Sequence, residues 1–327
     1  MRTVLVTGAS AGLGLALARL LVDHTDYRVI LTARTRSLDR FTRAGIVASE
    51  RVWLRGMDVV DPTQRRLVVE EANDRWGGVD IVVNNAGVSY RSVVEHVNDR
   101  ERLAQMDVNF RSPMELIRLT LPRMREKRWG RIINISSVSG MMAMPTMAVY
   151  SASKFALEGA TESLWYEVRP WNIKVTLVQP GFINSNSFQR VHLTELSARS
   201  VASEVDPYHA HYHHMAPFIE RTMGRAFATP DRVARKILRI MQRKNPPLRV
   251  AATIDAWLFF MLRRFLPRKI YHYVLYRALP NVDEWGPPKT LAPADPVKDR
   301  ISADPSTADP RTADTTVEPR PTECPRF

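Results

Sequence analysis

Short, largely apolar runs alternate with helical stretches through the first 250 or so residues, and that alternation leaves few folds open. TVLVT at residues 3–7 passes through a glycine turn into LGLALARLLVDH, whose leucines and alanines recur at helical spacing. YRVILTA, RVWLRGMDV, VDIVVNNAG, RIINISS and IKVTLVQPG repeat the apolar signature. Helical stretches run from Pro62 to Trp76, from about Arg100 to Lys127, and over YSASKFALEGATESLWYEV. A strand with no polar face is covered on both sides, and strand–helix–strand units cross over right-handed. The expected class is therefore α/β, a doubly wound parallel sheet.

After Pro180 the pattern loosens into a polar, histidine-containing stretch. It recovers at TPDRVARKILRIMQRK, where Thr229 can cap a helix beginning at Pro230, and at a last strand in PLRVAAT. Residues 1–253 thus read as one domain. Residues 254–279 carry five basic residues against one Asp, and their longest uncharged piece, AWLFFML, falls far short of the roughly 20 residues that span a bilayer. We expect 254–280 to be an amphipathic extension lying on a membrane surface or in a subunit interface. On a membrane, Trp257, Leu258, Phe259, Phe260 and Phe265 would enter the acyl boundary, while Arg263, Arg264, Arg268 and Lys269 meet anionic headgroups. Residues 281–327 are rich in Pro, Asp, Ala and Thr and are expected to be disordered.

The net charge of +13 suits an anionic partner without choosing among nucleic acid, lipid headgroup and polyanionic ligand. No basic run is interleaved with stacking aromatics in a nucleic-acid module, so no specific nucleic acid is expected. The one cysteine, Cys324, excludes a disulfide or a thiolate metal site within the chain. MRTVLVTGAS lacks the regions of a secretory signal, so a cytoplasmic protein is expected, peripherally membrane-associated through its extension.

Gly8, Gly12 and Gly14 are spaced G-x-x-x-G-x-G rather than G-x-G-x-x-G, and alone they mark either a nucleotide site or two backbones in close packing. Four further motifs follow in order: Asp58 and Val59 after the third apolar run, NNAG at 84–87, NISS with YSASK at 150–154, and QPGFINS at 179–185. Over about residues 1–253 this set resembles the classical short-chain dehydrogenase/reductase family, in which T-G-x-x-x-G-x-G replaces the usual fingerprint. The resemblance implies a Rossmann-type sheet, a nicotinamide cofactor and carbonyl–alcohol interconversion. It places the cofactor against Gly8, Ser10, Gly12, Leu13 and Gly14, with the pyrophosphate at a helix N-terminus. Gly8 would allow the tight turn, Gly12 the approach of the pyrophosphate, and Gly14 the packing of helix on sheet. Asp58 and Val59 match the adenine contacts, and Asn85, Ala86 and Gly87 the segment beside the ribose. Pro180, Gly181, Ile183 and Ser185 match the segment that runs past the nicotinamide.

After the second strand the family distinguishes its cofactors by charge, an acid for NAD and a base for the 2′-phosphate of NADP. LTARTRS offers Arg34 and Arg36 and no acid, which favours NADP(H), although the family's other basic position is Ala11 here.

Tyr150 and Lys154, four residues apart on a helix, share one face, so the ammonium is expected to favour ionised phenol. The resemblance assigns Tyr150 as proton donor and acceptor, Lys154 to the cofactor ribose as well, Ser137 to orienting the substrate oxygen, and Asn109 to a water linked to the lysine. Ser136 is left to backbone or cofactor contact.

GMMAMPTM before Tyr150 is read as an adaptable apolar pocket wall and YHAHYHH at 208–214 as a polar lid, not a metal site. The resulting expectation is an NADP(H)-dependent oxidoreductase, a homo-oligomer, acting on a small lipophilic carbonyl or alcohol of the steroid, retinoid, long-chain or ketolipid kind. The competing expectation is a cofactor-binding sensor or scaffold without turnover.

Overall fold

Nine strands occur among the described residues of a computed structural model, which are 1–185 and 192–286. They are β1 (Thr3–Val6), β2 (Arg28–Ala33), β3 (Val52–Gly56), β4 (Ile81–Asn84), β5 (Tyr90–Arg91), β6 (Gly130–Ile135), β7 (Ile173–Gln179), β8 (His192–Leu193) and β9 (Arg249–Ala251). Seven form one parallel sheet in the order β3-β2-β1-β4-β6-β7-β9, and β5 pairs with β8 beside it. This is the doubly wound α/β sheet expected from the alternation. Of the tail expected to be disordered, residues 281–286 are ordered, with a 3-10 turn at Val282–Glu284 and Val282 buried, because Trp285 and Glu284 find partners in His211 and His214. The rest of it, with Cys324, lies outside the described residues.

The strands are largely apolar because each face of the sheet has its own core. Val4 and Val6, Val29 and Leu31, and Ile81 and Val83 point to one side. There they meet α1 (Gly12–His24) through Leu17, Ala18 and Leu21, and α9 (Pro230–Gln242) through Val233, Ile237 and Met241. Leu5, Ile30, Val82 and Ile132 point to the other side. That side is covered by α3 (Pro62–Trp76), α5 (Ser112–Glu126) and α6 (Ala148–Val168). A period of two along each strand serves both cores.

Two departures from the sequence reading bear on the site. The stretch expected as one helix from about 100 to 127 is α4 (Asp99–Met106), a π turn at Asp107–Arg111, and α5. Pro113 has no N–H for the carbonyl of Asn109 four residues earlier, so the regular ladder cannot continue there. The extension is likewise two helices, α10 (Ile254–Phe265) and α11 (Arg268–Arg277), separated at Pro267. Among the described residues no helix is long and apolar enough to cross a membrane. Residues 1–286 form one compact unit. Within it Ala256 and Tyr271 are buried against Val138, Met141 and Met142.

Candidate active site

The strand order reverses between β1 and β4, where open α/β sheets form a crevice at their carboxyl ends. A cleft of about 940 Å³ opens there. Its floor is built by locking the two turns together. Asn85 Nδ2 donates to the carbonyls of Thr7 (2.9 Å) and Gly8 (3.1 Å), and Thr7 Oγ1 accepts from the N–H groups of Asn85 and Ala86, both at 3.0 Å.

Gly8 and Gly12 both have left-handed backbones, φ +63° and +54°. A side chain at Gly14 would meet the Gly8 carbonyl at 2.3 Å and Asn85 at 2.5 Å. Gly14 therefore lets α1 come close against the turns that follow β1 and β4, the close approach of helix to sheet expected of it. α1 begins at Gly12 with no capping side chain and no acid in its first turn, which leaves its N–H groups directed at the cleft.

Along the cleft lie Ser10, Leu13, Arg34, Asp58, Val59, Ala86, Gly87, Pro180, Gly181 and Ile183, each singled out above. Ser185 is not among the lining residues. The Asn184 N–H donates to the Ala228 carbonyl (2.8 Å) and its side chain to Gly224 (3.1 Å), which carries the chain toward the helices beyond. Arg36 does not line the cleft, whereas Arg40 does. The 3-10 turn at Thr35–Ser37 followed by α2 (Asp39–Arg43) brings Arg40 round beside Arg34.

Ser137, Tyr150 and Lys154 meet at the inner end. Ser137 caps the 3-10 turn at Val138–Gly140, its hydroxyl accepting from Ser139 N–H at 3.1 Å. Burial pushes the Tyr150 phenol up from its usual value, and a hydrogen bond with Ser137 opposes this in part. Lys154 is buried, its ammonium 5.8 Å from the centre of the Tyr150 ring and donating to the Ile135 carbonyl at 2.9 Å. Burial lowers its pKa to about 8, with the Glu158 carboxylate acting the other way. The expected depression of the phenol by the ammonium is overturned here, because desolvation disfavours both charged forms.

Asn109, fully buried in the π turn, accepts from Val88 N–H (2.9 Å) and donates to the Val88 carbonyl (2.8 Å) and Ser153 Oγ (3.0 Å). Its neighbours are Gly87 and Lys154: a side chain built on Gly87 would lie 3.4 Å from Asn109 Oδ1 and 3.8 Å from Lys154 Nζ. Ser136 lines the cleft beside Ser137, and its N–H donates to the Val178 carbonyl at 2.8 Å. Its hydroxyl donates to Glu158 Oε1 at 2.6 Å, and Gln179 Nε2 donates to the same carboxylate at 2.9 Å.

The substrate end is lined by Val138, Met144, Met147, Phe182, Ile219 and Met223. Met141 and Met142 turn away into the cluster under the C-terminal helices. None of residues 208–214 lines the cleft; farther along the same helix, α8 (His209–Gly224), Ile219 and Met223 do. His211 packs on Trp285 (4.6 Å between centroids) and His214 pairs with Glu284 (2.9 Å). Among the described residues no three His, Cys, Asp or Glu are grouped to hold a metal.

A family model described as short chain dehydrogenase matches residues 2–196. The chain belongs to the classical short-chain dehydrogenase/reductase family. It is 33% identical over 273 residues to a 3-ketodihydrosphingosine reductase of Bacteroides thetaiotaomicron, covering 83% of this chain and 96% of that one. A crystal structure of a short-chain dehydrogenase from Streptomyces avermitilis superposes with a TM-score of 0.68 at 30% identity, over 85% of this chain and 97% of that one. A metagenomic short-chain oxidoreductase in complex with NADP superposes with 0.59 at 26% identity, over 76% and 96%. The protein is thus a short-chain oxidoreductase of the kind that uses a nicotinamide cofactor.

Two residues that sequence reasoning missed hold the segment beside Pro180 in this dehydrogenase. Thr253 Oγ1 accepts from Gly181 N–H at 2.9 Å and Asp255 Oδ2 from Phe182 N–H at 2.7 Å. No motif joins positions some 73 residues apart in sequence. Charge-assisted hydrogen bonds are worth about 1.5–3 kcal/mol. Asp255→Ala should therefore lower kcat/KM for the cofactor by roughly tenfold or more, and Asp255→Asn, which keeps an acceptor oxygen, should recover most of the loss. Steady-state kinetics with cofactor varied checks this, and equal values for Ala and wild type would show that the contact does not position the segment.

Proposed function

We propose that this protein reduces a lipophilic carbonyl with NADPH. The observation that carries the reading is the geometry at the inner end of the cleft, where the Tyr150 phenol is hydrogen-bonded with Ser137, the buried Lys154 ammonium lies 5.8 Å from the centre of its ring, and Met144, Met147, Phe182, Ile219 and Met223 wall the space beyond. A phenol is neutral at ordinary pH and can give its proton to a carbonyl oxygen as that carbonyl is reduced.

The residues present fit a dinucleotide. Gly12 has open space where a side chain would stand, the first turn of α1 is uncapped, and the cleft runs from Arg34 to Lys154. Gly12 and the N–H groups of α1 would hold the pyrophosphate, Asp58 and Val59 the adenine, and Gly87 and Lys154 the ribose. Gly181 and Ile183 would flank the nicotinamide, which when bound supplies the hydride.

Ser137 holds the substrate oxygen through its hydroxyl, and Tyr150 gives that oxygen its proton. Lys154, charged below about pH 8, stabilises the phenolate left behind. The Asn109 carbonyl, which Pro113 cannot engage, is placed to hold a water that returns a proton toward Lys154. Met144, Met147, Phe182, Ile219 and Met223 exclude bulk water and select an apolar substrate. The ketodihydrosphingosine reductase and the NADP-bound oxidoreductase among its relatives support the substrate class and the cofactor.

A panel of long-chain, sphingoid, retinoid and steroid carbonyls, read by NADPH oxidation, tests the reading. Turnover of a lipophilic carbonyl is expected. Tight cofactor binding with no turnover on any carbonyl or alcohol would leave a sensor.

Cofactor choice has its own test. Arg34 and Arg40 supply two guanidinium groups at the adenosine end, where the 2′-phosphate of NADP would lie. Arg34→Asp should lower kcat/KM with NADPH by about a hundredfold, one charge-assisted pair being worth about 1.5–3 kcal/mol and the new carboxylate adding repulsion. Activity with NADH should stay within a few-fold. Equal efficiency of wild type with NADPH and NADH would overturn the preference.

A further inference from the structure

The helix pair after residue 253 presents its apolar side chains on the wrong side. Ala256, Phe259 and Phe260 face the protein, as an amphipathic helix requires. On the opposite face Ile254, Trp257, Leu258, Met261 and Phe265 follow at i, i+3, i+4, i+7 and i+11, a second complete stripe. Ile254 is 76% exposed, Trp257 54% and Phe265 72%. On α11 the exposed Ile270, Tyr273, Val274 and Tyr276 extend the same character. Folding α10 onto the core uses one face and leaves the other apolar in water, where contiguous exposed apolar surface marks an interaction site.

Charge decides what covers it. From Ala256 to Val282 there is no acid, whereas Arg263, Arg264, Arg268, Lys269 and Arg277 are all present. All five of these basic residues are exposed. A two-fold contact between copies would set this patch against itself, cation facing cation, with Asp283 already paired with Arg277 and no acid between Ala256 and Val282. Residues 287–327 contain few large apolar side chains with which to cover it. An anionic bilayer meets both requirements, acyl chains for the stripe and headgroups for the bases.

We propose that the outer face of α10 and α11 docks the protein on an anionic lipid bilayer, lying in the interface rather than crossing it. The inner face of the same helices packs on Val138, Met141 and Met142, directly after Ser137, and Thr253 and Asp255 at the start of α10 hold Gly181 and Phe182. Docking therefore sets the catalytic cleft beside the membrane.

Flotation of the full chain with vesicles of phosphatidylcholine alone, or with one third phosphatidylglycerol, tests the proposal. Three variants accompany wild type: the triple Trp257→Ser, Leu258→Ser, Phe265→Ser; the triple Arg264→Glu, Arg268→Glu, Lys269→Glu; and Arg19→Glu as a remote charge control. Wild type should float with the anionic vesicles and much less with the neutral ones. The serine variant should lose binding by roughly tenfold or more, since its three side chains no longer leave water. The glutamate variant should lose roughly fivefold or more for each base. Both should keep wild-type circular dichroism and turnover of a water-soluble carbonyl. Three results overturn the proposal. The first is a full chain that floats with neither vesicle. The second is binding that the serine variant retains, which marks a general response to polyanions. The third is an oligomer, seen by size-exclusion chromatography, that the serine variant dissolves, which assigns the face to a second copy.

Discussion

Tyr150→Phe should lower carbonyl reduction by roughly a thousandfold while leaving NADPH affinity within a few-fold of wild type, because general acid catalysis contributes about 10²–10⁴ in rate. The substitution removes one oxygen from a side chain that lines the cleft and keeps the ring in place. The backbone around it should not move, since Tyr150 lies inside α6 and its carbonyl still accepts from Ser153 Oγ (2.7 Å). Single-turnover rates with cofactor fluorescence titration check the two halves separately. A Phe variant with a tenth or more of the wild-type rate would mean that another group, such as Ser137, delivers the proton.

Lys154→Met should abolish turnover and yet stabilise the protein without cofactor. Burial takes the ammonium from an ordinary 10.5 to about 8, so holding that charge inside costs about 3 kcal/mol at neutral pH. Methionine keeps the stem and removes the cost. It also leaves the Ile135 carbonyl without its donor, which returns about 1–2 kcal/mol. The balance is a gain of about 1–2 kcal/mol, a rise of a few degrees in Tm. The sign follows from proton counts. Between about pH 8 and 10.5 the unfolded chain holds a proton that the folded chain has released, so wild-type stability climbs with pH across that window. The advantage of the methionine variant is therefore widest below pH 8, vanishes between about pH 9 and 10 as the burial cost falls to the value of the lost hydrogen bond, and reverses above that. Scanning calorimetry at pH 7 and pH 10 measures it, and a variant less stable than wild type at pH 7 would show that the buried ammonium stabilises the fold. The same titration should weaken cofactor binding by the wild-type free enzyme as pH rises through about 8, because Lys154 then becomes neutral.

Much of the site was legible in the residues because its parts are local. A glycine turn between strand and helix, a Tyr and a Lys one turn apart, and a Ser at the end of an apolar strand each declare a short-range geometry. Parallel topology brings strand ends to one edge of the sheet whatever the sequence between them. Where the reading went astray, the deciding quantity was not local. The phenol and the ammonium were judged as an isolated pair on a helix, but burial of both reversed the outcome for Tyr150. Ser136 was left to backbone or cofactor contact, and nothing local announced that its hydroxyl goes to Glu158, 22 residues away. Arg36 looked as good as Arg34 until the turn that follows put Arg40 in its place.

The sequence by itself determined the class of fold, the order of its elements and the identity of the groups at the reacting end, because hydrophobic period and turn chemistry act over a few residues. Only the tertiary structure decided the direction in which burial shifts Tyr150 and Lys154, the hold of Thr253 and Asp255 on the segment after Pro180, and which face of α10 is left in water. Those depend on desolvation and on contacts between residues far apart in the chain, and neither is set until the sheet and its helices have packed.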